Sequence, residues 1–247
     1  NNATVFIIAN IDSRMVNISA EKLGLVRKQS DIVNMVATLN HASVERTGYF
    51  PMTGSLQNVN TASIDTSKTL MLKRMDAKVQ FWFKKSAQIQ KLIIKNWKVV
   101  NVPRCSYIMS REERNKYGGK SGDADVSGYF ETTFMPYEKS RLGSGGDEET
   151  GFSFYTLENA LTPKSTPAGG WKYEHREAKD YKNPEAGWTY ANDNSMYVVI
   201  NASVLMDTQY DFNGDGVADI DEQGAVLNAD VQYIIHLGNF ATDQGNF

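Results

Sequence analysis

Apolar and polar residues alternate along several segments of this chain, a pattern typical of strands with one buried face. The clearest case is residues 75–83, where Val79, Phe81 and Phe83 share one face of the predicted strand. Similar or continuously apolar runs predict further strands at residues 4–10, 88–102, 128–134, 152–157, 196–206 and 226–237. The last two runs flank a short polar segment, so we expect them to pair as antiparallel neighbours.

One segment has the spacing of an amphipathic helix. Ser30 is a favourable N-cap residue, and Ile32, Met35, Val36 and Leu39 follow at intervals that place them on one helical face. This segment predicts a single helix in an otherwise strand-rich chain.

The predicted fold class is therefore all-β, mainly strands with one short helix. Because strands and helices do not alternate repeatedly, a parallel α/β sheet is disfavoured, and two β-sandwich domains in tandem are expected. We place the first domain at residues 1–102 and the second at residues 103–247, where polar, glycine-rich connections follow the predicted boundary.

Composition narrows the function only slightly. The chain has 247 residues, 41% of them apolar, and a net charge of -3, so nucleic acid is not an expected partner. Cys105 is the only cysteine, which excludes an internal disulfide and a cysteine-based zinc site. We expect it to be an inert buried thiol.

The sequence has no motif that indicates catalysis. The three histidines, His41, His175 and His236, lie far apart, and neither a nucleophile elbow nor a phosphate-binding loop is present. His236 falls on the polar phase of its strand and is expected to be solvated. The carboxylates near His175, Glu177 among them, are expected to face solvent. We therefore expect that the chain is not an enzyme.

Residues 211–222 carry the strongest chemical signal, because they match a calcium-binding loop. Oxygen ligands recur at positions that can encircle the ion, with the carbonyl of Val217 and the sharp turn at Gly216 completing the pattern. The side-chain ligands would be Asp211, Asn213, Asp215, Asp219 and Glu222. Since strands flank the loop, we expect a structural Ca²⁺ that braces a hairpin. The alternative is a turn without metal, since Asp, Asn and Gly also favour turns.

Four aromatic residues lie close together in the long connection at residues 161–194. They are Trp171, Tyr173, Trp188 and Tyr190. Aromatic side chains on a loop can stack against sugar rings, which makes these residues possible glycan contacts. Packing of the loop against its own domain is the favoured alternative.

Several short blocks in a fixed order resemble the fimbrillins of Bacteroidales, the FimA- and Mfa-like subunits of type V pili. The blocks are TVFIIAN, FPMTGSL, LKRMDAKVQFWF, FSFYTLENA and the pair MYVVINASV and DVQYIIHLGNF. Together they span nearly the whole chain. The calcium-type loop is not general in that family and is a local feature of this sequence.

The resemblance implies two transthyretin-like β-sandwiches, export as a precursor lipoprotein and a cell-surface, outer-membrane-anchored fimbria that supports adhesion. It also implies proteolytic removal of the first strand and assembly with other fimbrial subunits, self or accessory, by donor-strand exchange. A host or bacterial surface receptor or glycan is a further expected partner. The family's lipobox cysteine has no counterpart here, and family members generally continue beyond the position of Phe247.

The alternative function is a binding module. A surface lipoprotein or fimbrial tip adhesin stabilised by calcium would capture glycans through the aromatic loop.

Overall fold

The computed structural model describes most of the chain. The described residues are 2–11, 15–60, 62, 68–84, 89–109, 128–137, 150–159, 164–172, 174–207 and 226–238. This part of the chain is mostly β-strand with a few short helices, as the alternating pattern predicts. None of the helices in these ranges is both long and apolar enough to cross a membrane.

Thirteen strands are described. They are β1 (Asn2–Ala9), β2 (Val36–Thr38), β3 (Met52–Asn60), β4 (Lys73–Arg74), β5 (Asp76–Phe83), β6 (Ile89–Val100), β7 (Val102–Pro103), β8 (Cys105–Tyr107), β9 (Tyr129–Phe130), β10 (Met135–Pro136), β11 (Thr150–Leu157), β12 (Tyr197–Asp207) and β13 (Val226–His236). The short helices are α1 (Ala20–Gly24), α2 (Gln29–Val33) and α3 (Glu174–Glu177), with one 3₁₀ turn at Pro184–Ala186.

All the strand pairs are antiparallel. The largest sheet has the order β10-β6-β12-β13, and a three-stranded sheet has the order β1-β3-β4. Three further pairs join β11 to β5, β2 to β8 and β7 to β9. The predicted pairing of the last two long strands is confirmed, since β12 and β13 pair continuously from Tyr197 opposite His236 to Asp207 opposite Val226.

The first core lies between the four-stranded sheet and the β5–β11 pair, and it is rich in aromatic rings. Trp97 of β6 stacks on Phe152 of β11, with ring centroids 3.9 Å apart and planes 11° from parallel. Phe154 and Ile200 are fully buried beside them. Val79, Phe81 and Phe83, the predicted inner face of β5, pack against this core.

The second core is aliphatic and is enclosed by shorter elements. Its buried members are Val16, Ile18, Ala37, Leu39, Met75, Ile108, Met109 and Leu157. Partly buried residues of β1, α1 and α2 pack against it, including Phe6, Leu23 and Ile32. Strand β11 reaches both cores, because Phe152 lies in the first and Leu157 in the second.

A buried ion pair lies at the start of β5. Arg46 Nε is 2.8 Å from Asp76 Oδ1, and the two side chains are 2% and 0% exposed. Burial raises the pKa of Asp76, and the opposing effect of the Arg46 charge is smaller. One further polar atom of each residue, Arg46 Nη2 and Asp76 Oδ2, is buried and has no hydrogen-bond partner among the described atoms. The pair therefore joins residue 46 firmly to β5 at a considerable desolvation cost.

The single predicted helix is wrong in extent and number. Helix α2 ends at Val33, and Val36–Thr38 forms β2, which pairs with β8 from Val36 opposite Tyr107 to Thr38 opposite Cys105. The β-branched residues Val36 and Thr38 favour the strand, and this pairing overrides the helical spacing. Helices α1 and α3 had no counterpart in the prediction.

The predicted division at residues 102 and 103 stays a prediction. Several strand pairs join residues on either side of it, among them β2 with β8, β5 with β11, β6 with β10 and β6 with β12. Cys105 is buried, as expected, and burial raises the pKa of its thiol.

Candidate functional site

Strand β1 lies at the edge of its sheet. It pairs with β3, from Asn2 opposite Asn60 to Ala9 opposite Met52, with a register shift between Ala3 and Val5. No other strand in the described ranges pairs with β1. One row of its backbone groups is therefore available for another strand.

Both faces of β1 are apolar. Phe6 and Ile8 pack against the second core, whereas Val5 and Ile7 on the opposite face are 38% and 40% exposed. None of its eight residues is charged. Edge strands commonly carry a charge or a proline that discourages pairing with other chains, and β1 carries neither.

Strand β3 is held in place independently of β1. The Thr53 hydroxyl donates a hydrogen bond to the Ile108 carbonyl at 2.5 Å, and Met52 and Thr53 pair with β4. Removing β1 would therefore leave β3 as an open edge beside a partly uncovered apolar core. That is the geometry that a strand from another chain can fill.

The predicted calcium loop, with Asp211, Asn213, Asp215, Val217, Asp219 and Glu222, lies outside the described residues. The strands on either side of it are described, and their last pair is Asp207 opposite Val226. The segment between them thus connects the ends of a long hairpin, as predicted. The described ranges contain no group of three or more His, Cys, Asp or Glu side chains placed to hold a metal ion.

The three described residues among the four predicted glycan contacts have different surroundings. Trp188 packs edge-to-face against His236, with centroids 4.0 Å apart, and Lys179 Nζ lies 4.9 Å from its ring centre. Trp171 and Tyr190 form a separate group with His175, with centroid distances of 5.0 to 6.3 Å. Tyr173 lies outside the described residues. Trp188 is therefore engaged in packing the loop onto the large sheet.

The prediction that His236 is solvated is wrong. Its side chain is fully buried, and its backbone N–H donates to Glu177 Oε1 at 3.0 Å. The ring nitrogen Nδ1 lies 3.3 Å from Glu177 Oε2, so Glu177 of α3 fastens the loop to the end of β13. His236 lies on the face of β13 that the sequence pattern marks as polar, and this face is buried here because Trp188 and α3 cover it.

Sequence reasoning missed two polar pairs: Arg46 with Asp76, which is buried, and the partly exposed Glu177 with the buried His236. Each joins residues far apart in the chain, and neither spacing nor alternation could indicate the partner. One feature of the sequence could have indicated the first pair. Asp76 is a charged residue at the start of a strongly alternating strand, and that end of the strand is buried.

A comparison with protein-family models finds no match, and comparisons with curated proteins and with solved structures find none either. We therefore infer the function from the geometry of this chain and from the resemblance of its short sequence blocks to the fimbrillins.

Proposed function

We propose that this protein is a structural subunit of a cell-surface fimbria that assembles by donor-strand exchange and supports adhesion. In this proposal the chain is exported as a precursor lipoprotein, is built from two transthyretin-like sandwiches and assembles into a fibre anchored in the outer membrane. Its partners are other subunits of the fibre. No bond chemistry on a substrate is part of this function.

The observation that carries the proposal is the position of β1. This uncharged strand has one strand neighbour in the described part of the chain, and it covers the second core with Phe6 and Ile8. Its release would open a groove along β3, whose own attachment through Thr53 does not involve β1. Because donor and acceptor are unlike surfaces, repeated exchange gives an open filament and not a closed ring.

The test is controlled release of β1. A protease site is inserted after Asn10, and the oligomeric state is followed by native mass spectrometry and by electrophoresis in detergent. The cut protein should form detergent-resistant oligomers, whereas the same protein left uncut should remain monomeric. A cut protein that loses β1, stays folded and remains monomeric would contradict the proposal.

The calcium-type loop has its own test. If Ca²⁺ joins the ends of β12 and β13, a chelator should lower the midpoint of thermal unfolding by several degrees, because an ion bound only by the folded state stabilises it. Asp211→Ala, which removes the ligand oxygens at the first loop position, should make the protein insensitive to the chelator. An identical midpoint with and without chelator would argue for a turn without metal.

A glycan-binding module is the second candidate, favoured by the grouping of Trp171 and Tyr190 with His175 on one loop. Titration with a glycan array should show binding that Trp171→Ala abolishes. Trp188→Ala is the control, because Trp188 packs against His236. Absence of binding at millimolar sugar would dismiss this function.

A further inference from the structure

A cavity of about 490 Å³ lies beside β11, on the side away from β5. Its wall is formed by Gly151, Phe152, Ser153 and Tyr155 of β11, with residues 44–47 and strand β10 completing the lining. This volume falls within the range of about 300–1,000 Å³ that is usual for ligand-binding clefts. The cavity exists with β1 in place and is separate from the groove proposed along β3.

The backbone of β11 faces this cavity at alternate residues. Tyr155 N–H donates to the Val44 carbonyl at 2.9 Å, so the backbone groups of Tyr155 point away from β5. Since direction alternates along a strand, the backbone groups of Ser153 and Gly151 point the same way. Within the described ranges, the bond to Val44 is the one backbone bond on this edge of β11. Ser153 and Gly151 can therefore pair with an added strand.

The floor of the cavity is apolar. Trp97 and Phe152 are stacked with centroids 3.9 Å apart, and Met135 of β10 lies beside them. Both rings are buried, at 7% exposure each, so a side chain placed above them would extend the first core. A large aliphatic or aromatic side chain fits this floor best.

The walls offer little charge to an incoming ligand. Strand β11 has no charged residue from Thr150 to Leu157. Arg46, which also lines the cavity, is already paired with Asp76 at 2.8 Å. An anionic ligand would lose its hydration here without a free cation in the described lining. Glu45, the other charged residue of that lining, is exposed to solvent, so it gives a cationic ligand only a weak, screened partner, and an uncharged segment is favoured.

We propose that this cavity binds an extended, uncharged peptide segment of a partner protein, which adds a strand to the open edge of β11. The main chain of the peptide bonds to Ser153 and Gly151, and one large apolar side chain rests on Trp97 and Phe152. This inference goes beyond the proposed function, because it names a second recognition site that needs no removal of β1.

The first experiment uses a labelled heptapeptide, Thr-Val-Thr-Phe-Thr-Val-Thr, and measures its binding to the intact protein by fluorescence anisotropy. Two N-methylated isomers are the controls, one methylated on the Thr amides and one on the Val and Phe amides. In an added strand only one of these two sets of amides faces β11. Binding should therefore be lost with one isomer and kept with the other.

The outcome also gives the strand direction. Loss of binding with the Thr-methylated isomer indicates antiparallel addition. In that arrangement the residue that bonds to Ser153 has its side chain on the same face of the sheet as Ser153, away from the floor, and in this peptide that residue is a Thr. Loss of binding with the other isomer indicates parallel addition. Equal binding of both isomers, equal loss of both, or no binding of the parent peptide would overturn the proposal.

The second experiment changes the protein. Ser153→Pro removes the N–H that faces the cavity and spares the bonds to β5, so it should weaken peptide binding roughly tenfold. Ser153→Ala, which keeps the N–H, should bind as the unchanged protein does. Met135→Glu should also weaken binding by placing a charge on the floor. These results are independent of the β1-release experiment, which uses no peptide.

Discussion

The two cores of this protein are closed in different ways. The first is covered by β6, β12 and β13, strands of 11 to 12 residues that pair along nearly their whole length. The second is covered by β1 and by short pieces, namely the helices α1 and α2 and the three-residue pair β2–β8. The first core thus has a continuous hydrogen-bonded cover, whereas the second is enclosed by parts that can separate one at a time.

This difference suggests where the protein can open without unfolding. Local opening requires few buried contacts and few hydrogen bonds to break at once. The β1 edge meets this condition better than the long ladder of β12 and β13. A function based on strand release would therefore use the second core and leave the first intact.

The largest expected effect comes from the ion pair at the start of β5, which connects the two regions. Arg46→Met leaves the Asp76 carboxylate buried without its cation and should lower the free energy of unfolding by about 3–5 kcal/mol at neutral pH. Chemical denaturation measures the loss. Lys95→Met is the control, because Lys95 pairs with Asp230 at the surface and should change stability little.

The stability of the protein should also depend on pH through Asp76. Burial raises the pKa of Asp76, so the folded state binds its proton more tightly than the unfolded state does. Its stabilising contribution is fully present below the usual carboxyl pKa and is lost as the pH rises through the raised pKa. The penalty of Arg46→Met should therefore grow as the pH rises. A penalty independent of pH would indicate that Asp76 is not buried as a carboxylate.

A second prediction tests the comparison of the cores directly. Phe154→Ala removes a fully buried ring of the first core and should lower global stability by about 3–5 kcal/mol, because a large cavity remains. Ile8→Ala, in β1, should have a smaller global effect but speed amide hydrogen exchange in β1 and β3. If Ile8→Ala instead speeds exchange equally in β6 and β12, the two regions open as one unit.

The smallest expected effect concerns the loop on the outer face of the large sheet. Glu177→Gln weakens the contacts to His236 and should lower stability by about 1 kcal/mol, the usual contribution of a hydrogen bond. Exchange of the His236 amide should rise by a corresponding amount. Glu174→Gln is the matched control, since Glu174 is exposed and has only a 3.9 Å contact to Lys172.

Alternating and apolar runs predicted the long strands β1, β5, β6, β11, β12 and β13, because side-chain direction along a strand depends only on neighbouring positions. The nine-residue strand β3 was not predicted, and of the strand predicted at residues 128–134 only Tyr129–Phe130 forms one. Strand β5 and the β12–β13 hairpin follow the pattern closely. The pairing of β5 with β11 and of β6 with β12 could not be predicted, since it depends on residues far apart in the chain.

The candidate sites were harder to predict for the same reason. The open edge of β1 is a property of the sheet and not of the strand. His236 was expected in solvent because its own strand places it on the polar phase, and the residues that bury it come from α3 and Trp188. Only the calcium prediction at residues 211–222 depends on residues within one short segment.

The pairing of β6 with β12 has a consequence during synthesis. Ile94 of β6 lies opposite Ala202 of β12, so the ribosome must add the intervening residues before the two strands can pair. At ~5–20 residues per second this takes roughly 5–20 s. During that interval a twelve-residue segment with seven apolar residues is exposed without its main neighbour. A chaperone that holds this segment until β12 emerges should raise the yield of folded chain more than one that acts after release from the ribosome.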